Sequence, residues 1–331
     1  MNLHINKDLF RDAITASSQH MNIREVFIEK DYWVTYILKK ISESDYNKIT
    51  VFKGGTALSK AYKLIKRFSE DVDLTVIIPA GFDENQIEKL IISMEKEVTL
   101  DFNEIVIKDL TTKTKRYRRT LHFYDKIGRS GFSDADFGQA TDKIMLEINS
   151  YGTTHPHKQM AISSYIADYL IEKNSWQEIN KFGLQPFSLL VLDINRTMVE
   201  KITAIARAGF YANSIEELIK RIRHIYDICM MYQDSNIRRF LESNEFYELL
   251  DLVDEEDRNN PFVPDETIGL PFIDAKIFSE PENTWKELEP AYNTKFKPLV
   301  FGALPGSQDI VKCLSFLHTR LSEYSKYRRN I

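Results

Sequence analysis

Residues 53–73 read KGGTALSKAYKLIKRFSEDVD, and the order of parts in this stretch constrains the fold more than any other feature of the chain. An apolar run, KITVF (48–52), ends in Gly54 and Gly55. A helix-patterned segment follows, and then Asp71 and Asp73 stand one residue apart in DVDLTVII (71–78). Val72, Leu74 and Val76 alternate with Asp71, Asp73 and Thr75, a period of two that predicts a half-buried strand with both aspartates on its polar side. At roughly 3.3 Å rise per residue, their Cα atoms lie about 6.6 Å apart. Between the glycines and this strand, Thr56 reads as an N-cap, and Ala57, Leu58, Ala61, Leu64 and Ile65 make one apolar helical face ending near Arg67.

Two carboxylates on one face repel unless a cation lies beside them, and hard oxygen ligands suit Mg²⁺, which also takes oxygens from substrate phosphates. A third acid is on offer. In DKIMLEINSYG (142–152), Ile144, Leu146 and Ile148 alternate inward and leave Glu147 on the polar side with Lys143 and Asn149. If the two strands are neighbours, Asp71, Asp73 and Glu147 supply a site for one or two Mg²⁺ ions, the arrangement used for in-line phosphoryl displacement. A strand that ends in Gly-Gly and opens a helix exposes backbone N–H groups, so Gly54, Gly55 and Thr56 read as a phosphate cradle. Arg67 and Ser69 would either contact phosphate or support the carboxylates. Each part also has a plainer reading: Gly-Gly as a turn, Glu147 as an exposed strand acid, and Asp-x-Asp as a common spacing that recurs at Asp134 and Asp136 with no glycine pair ahead of it.

Elsewhere the first half mixes helix and strand patterns. DLFRDAITASSQH and IREVFIEKDYWVTYILKKI are helical in period, and RRTLHFYDKI adds another strand candidate. Beyond about residue 160 the pattern turns helical, with a soft boundary at HPHKQ (155–159). The expectation is an α+β chain with domains at 1–158 and 159–331, the second mainly helical. With 331 residues, 43% hydrophobic and 28% charged, the chain is long and apolar enough for two cores. Its formal charge of −5 argues against a protein that chiefly coats nucleic acid. Cys229 and Cys313, in apolar surroundings, fit buried thiols of a reducing, cytoplasmic setting, and neither a signal peptide nor a membrane span is expected.

The stretch GGTALSKAYKLIKRFSEDVDL closely resembles the nucleotidyltransferase core of the AbiEii/AbiGii toxin family, within the polymerase-β-like superfamily. EKDYWVTYIL (29–38), TMVEKITAIAR (197–207) and RHIYDI (223–228) extend the resemblance over roughly the first two-thirds of the chain. It implies a small mixed sheet with flanking helices, followed by a helical domain that closes the nucleotide cleft. It also implies an NTP and metal site at Gly54, Gly55, Asp71 and Asp73, a phosphate-reaching Lys201 and a later aspartate, Asp227. Lys201 lies off the stripe formed by Ile194, Met198, Ile202 and Ile205. Asp227 interrupts an apolar run and needs a partner such as Arg223 or a substrate group. Glu200, Lys30 and Asp31 match as well and could pin the two domains together.

Together with this resemblance, the residues predict Mg²⁺-dependent transfer of a nucleoside monophosphate from an NTP to an acceptor hydroxyl on RNA or protein. Asp71, Asp73, Glu147 and Lys201 would be catalytic. By resemblance the chain would be the toxin of a type IV toxin–antitoxin pair, with a cognate DNA-binding repressor encoded nearby. Two alternatives stay open: a nucleotide-binding regulatory module without turnover, and a phosphotransferase on the same scaffold. For an RNA acceptor the strongest contact candidate is KTKRYRR (113–119), although a basic hairpin edge explains it equally well. The acidic run DEEDR (254–258) and the region around Trp285 and Tyr292 could hold the acceptor surface.

Overall fold

The computed structural model describes residues 1–69, 71–127, 143–152 and 154–329. They form two compact units, Met1–Lys63 with Arg67–Leu192, and Leu64–Lys66 with Asp193–Ile331. Asp134 and Asp136 lie outside the described residues.

The first unit opens with helices α1 (Lys7–Met21) and α2 (Glu25–Glu43), then strand β1 (Thr50–Lys53), helix α3 (Gly54–Lys60), strand β2 (Asp71–Val76) and helix α4 (Glu84–Val98). Strands β3 (Asn103–Ile105), β4 (Thr112–Lys113), β5 (Tyr117–Phe123), β6 (Ile144–Asn149) and β7 (His157–Ile162) follow. Helices α5 (Tyr165–Glu172) and α6 (Trp176–Phe182) then lead into strand β8 (Phe187–Leu192). Among the described residues eight strands make one mixed sheet in the order β3-β5-β6-β2-β1-β8-β7, with β4 beside β5.

The alternation read from the sequence sets its two faces. Val72, Leu74, Leu146 and Ile148 are fully buried, each contributing about 1.5–3 kcal/mol relative to exposure. Helix α2 packs against β2, β6 and β8, and α4 packs against β6. Arg118 reaches Glu95 of α4, which places α4 on the face opposite Tyr117 and Arg119 because neighbours along a strand point to opposite sides.

Three sequence expectations differ from the structure. The division falls at Leu192/Asp193 and not near residue 158, because β7 and β8 come after that point and still join the first unit's sheet: β8 pairs parallel with β1 and antiparallel with β7. FSLLVL is mostly apolar and shows no clean alternation, so its sequence carries no period-two strand signal. Helix α3 is also shorter than its apolar spacing suggested. It starts at Gly54, ends at Lys60 and has Lys53 as its N-cap residue. Lys63 turns left-handed (φ 57°), and Leu64–Lys66 joins the second unit, where the Lys66 N–H donates to Tyr226 Oη (3.3 Å) and the Lys66 carbonyl accepts from Phe301 N–H (3.0 Å). Tertiary packing overrides the local helical period here.

The second unit comprises α7 (Ile194–Ala208), α8 (Ser214–Lys220), α9 (Ile222–Tyr232), α10 (Ser235–Glu242), α11 (Glu245–Asp257), α12 (Lys276–Ser279), α13 (Pro281–Ala291) and α14 (Ser307–Arg329). Helix α7 packs against α9, α11 and α12. The acids of 254–258 serve this packing: Arg207 binds Asp254 (3.0 Å) and Asp257 (2.9 Å), and Arg196 forks onto Glu256. Trp285 and Tyr292 are core residues whose rings meet edge to face at 5.0 Å. The run and the two aromatics thus hold helices together. Cys229 and Cys313 are free, buried and in contact with one another.

Candidate active site

In the first unit, β2 and β6 run parallel with Asp73 opposite Glu147 and Asp71 opposite Met145. On its other side β6 pairs antiparallel with β5, Arg119 opposite Glu147 and Tyr117 opposite Asn149. Strand β1 completes the set by placing Lys53 opposite Asp73. Directly paired residues project to the same face. One row across four strands therefore reads Arg119, Glu147, Asp73, Lys53, with Asp71 one step along β2. The neighbouring strands that Glu147 required are present.

The glycines come next to this row for a steric reason. Gly54 has φ +78°, and a Cβ there would overlap Asp73 Oδ2. At Gly55 a Cβ would run into Arg67 Nη2 and stand 2.9 Å from Ser69 Oγ. Thr56, read from sequence as an N-cap, instead donates from Oγ1 to the Asp71 carbonyl at 2.6 Å and lies 3.0 Å from Ser69 Oγ. The Cβ-less space is thus filled by the chain's own carboxylate and guanidinium, so Gly-Gly lets β1 and α3 close onto β2. Arg67 is buried, and its Nη1 donates to the Phe68 carbonyl at 3.0 Å.

Farther down α3, Lys60 Nζ donates to Asp31 (2.5 Å), Thr35 Oγ1 (2.6 Å) and the Ser163 carbonyl (3.2 Å), while Asp31 also accepts from Tyr165 N–H (2.8 Å). Burial pushes the Asp31 carboxyl up and the Lys60 amine down. The match at Asp31 therefore serves the first unit internally, tying α3 to α2 and to the start of α5.

Glu147 carries the clearest electrostatic signature. Burial pushes its carboxyl above the ordinary value and Asp71 beside it adds to the effect, while Arg119, the hydrogen-bonded Tyr117 phenol and Lys53 oppose it. Among the described residues no three or more His, Cys, Asp or Glu side chains converge closely enough to enclose an ion by themselves. The three carboxylates do share one face of the sheet and offer only oxygen donors, the ligand type that suits a hard cation completed by waters and substrate oxygens.

Lys201 and Asp227 belong to the second unit. They pair with each other at 2.9 Å, with side chains 7% and 0% exposed. The partner that Asp227 needed is thus Lys201, which is buried although it lies off the apolar stripe of α7.

The basic run is largely spoken for by the protein itself. Lys113 binds Glu104 (2.5 Å), Lys115 donates to Asn85 (3.1 Å), Arg116 meets Glu84 (2.5 Å), and Arg118 pairs with Glu95. Only its last alternating members, Tyr117 and Arg119, share the face of Glu147. Their place in the site was missed from sequence, where the run read as one patch. The usable signal was Tyr117 and Arg119 standing two apart on a strand neighbouring that of Glu147.

A mixed sheet with Asp-x-Asp and a third carboxylate on one face, seated against Gly-Gly, is the architecture of a nucleotidyltransferase core. The sequence profile of the AbiEii nucleotidyl transferase toxins of type IV toxin–antitoxin systems matches residues 36–311, and the chain belongs to that family. It is a nucleotidyltransferase of the toxin class. Its structure is similar to MenT4, a nucleotidyltransferase toxin from Mycobacterium tuberculosis, with 16% identity, 96% of each chain covered and a TM-score of 0.54. It also matches JHP933 from Helicobacter pylori at 13% identity over 93% of this chain and 97% of that one, with a TM-score of 0.45. No curated protein matches the chain. Among the described residues no helix is long and apolar enough to cross a membrane.

Proposed function

We propose that the protein transfers a nucleoside monophosphate from an NTP to an acceptor hydroxyl on RNA or protein, with Mg²⁺ as cofactor and pyrophosphate as the second product. The observation that carries this reading is the register that sets Asp73 opposite Glu147, with Asp71 on the same face. Asp71, Asp73 and Glu147 would hold the Mg²⁺, whose chemistry is to neutralise phosphate charge and lower the barrier to in-line displacement. Glu147, with its carboxyl raised by burial and by Asp71, takes the proton of the acceptor hydroxyl. Gly54, Gly55 and Thr56 bind the triphosphate, and Arg67 and Ser69 brace the turn that carries them. Lys201, paired with Asp227 within the second unit, is the remaining catalytic cation. By family, the cellular partner is a cognate antitoxin, a DNA-binding repressor encoded nearby. Free buried thiols suit action in a reducing cytoplasm.

The test is incubation of the full chain with α-labelled and, separately, γ-labelled NTPs, Mg²⁺, total RNA and cell protein. Label from the α position should appear on one acceptor with stoichiometric pyrophosphate, and both chelation and the Asp71→Asn/Asp73→Asn variant should abolish it. Transfer of the γ label would make the protein a phosphotransferase. Transfer that survives in the variant would refute the assigned site.

A further inference from the structure

The face that carries the three carboxylates also holds two β5 side chains that the proposed chemistry leaves unused. Tyr117 is 9% exposed, and its phenol hydrogen bonds Glu147. Arg119 brings Nη1 to 3.9 Å from Glu147 Oε1. The guanidinium is itself fixed, because its Nε donates to the Leu110 carbonyl at 2.8 Å and its Nη2 to the Asp109 carbonyl at 3.2 Å. Those carbonyls sit in a closed turn: Leu110 N–H and Thr111 N–H both donate to the Ile107 carbonyl, and Ile107 N–H donates to Thr111 Oγ1. In the same run, Lys113, Lys115, Arg116 and Arg118 meet partners away from Glu147.

We propose that Tyr117 and Arg119 are positioning residues for Glu147, fixing its carboxylate beside Asp71. The inference rests on the nucleotidyl-transfer reading of this site. Glutamate has three side-chain torsions, and a carboxylate next to Asp71 is repelled by it. Left alone, Glu147 would turn away from its partner acids. A buried phenol donor on one side and an anchored guanidinium on the other hold it in place before any substrate arrives, which is what precise catalytic placement needs. The pair sits at i and i+2 of one strand, opposite Asn149 and Glu147, so the sheet register delivers both groups to the same carboxylate.

The test uses Tyr117→Phe, which removes one oxygen, together with Arg119→Gln and Arg119→Lys. Pyrophosphate release is followed in steady state with NTP, Mg²⁺ and acceptor, and each variant is also crystallised. Tyr117→Phe should lower kcat roughly tenfold to a hundredfold, the effect of one lost hydrogen bond to a charged group, and Arg119→Gln, which removes an ionic contact at 3.9 Å, should lower it about threefold to tenfold. KM for NTP should stay within about threefold, since no triphosphate contact is lost. Arg119→Lys should recover part of the rate, and in the Tyr117→Phe crystal the Glu147 carboxylate should have moved away from Asp71. Unchanged kcat, or a raised KM with kcat kept, would overturn the proposal, as would an unmoved Glu147. Absence of pyrophosphate release by the unaltered protein would instead sink the transfer reading, and the crystal structures would still decide whether these residues fix Glu147.

Discussion

A methyl group on Gly54 would occupy the place of the Asp73 carboxylate. Two residues nineteen positions apart are thereby locked into one arrangement: the left-handed turn at the end of β1 exists because an acid from β2 fills the space beside it. Gly54→Ala should carry about 1–2 kcal/mol of cost from the left-handed backbone alone, and it should also displace Asp73. Gly81→Ala is the control, since Gly81 has φ +86° with nothing within 4 Å of its would-be Cβ. Comparison of the two variants by denaturant unfolding and pyrophosphate release should show similar backbone cost, with activity lost only at Gly54. Equal activity in both would mean that the overlap has no consequence for the site.

The Lys201–Asp227 pair predicts a separation of stability from activity. Removing one partner of a buried pair strands the other charge, so Lys201→Met should destabilise by roughly 3–5 kcal/mol, whereas Lys201→Met with Asp227→Leu should recover most of that loss. If Lys201 is catalytic, the double variant will be stable and still inactive. A double variant with normal turnover would assign the pair a purely structural role. Thermal midpoints and rates measured on the same preparations distinguish the two.

His122 predicts how stability depends on pH. Burial lowers its pKa to about 4 from the ordinary histidine value of 6.5. Its Nε2 stands 2.9 Å from Thr120 Oγ1, and its buried Nδ1 has no hydrogen-bond partner among the described residues. The unfolded chain binds the proton more readily than the folded one, so stability is fully present above pH 6.5 and declines as pH falls toward 4. Linkage puts the loss at about 2 kcal/mol by pH 5. Urea midpoints at pH 7 and pH 5 check this, and His122→Gln should flatten that part of the slope. An unchanged slope in the variant would assign the acid sensitivity to other groups.

Period-two alternation made three site acids legible from sequence: Asp71 and Asp73 had to share a face, and so did Glu147 with Asn149. Local spacing also gave the strand, the turn and the first turns of α3. Which strands are neighbours is not local information. The register that sets Glu147 opposite Asp73, the arrival of Tyr117 and Arg119 from β5, and the parallel seat of β8 beside β1 arise from long-range pairing. Partner choice among the charges was hidden for the same reason. The five cations of the basic run look alike in sequence, and only the fold gives Arg118 to Glu95 of α4 and Arg119 to Glu147 of β6.

The sequence by itself determined the chemistry on offer: acids at alternating positions, a glycine pair before a helix, and a family resemblance that the profile match bears out. Tertiary structure decided what fills the space beside the glycines. Their missing side chains make room for Asp73, Arg67 and Ser69. That is a contact between segments distant along the chain, and a backbone pattern read residue by residue carries no term for it.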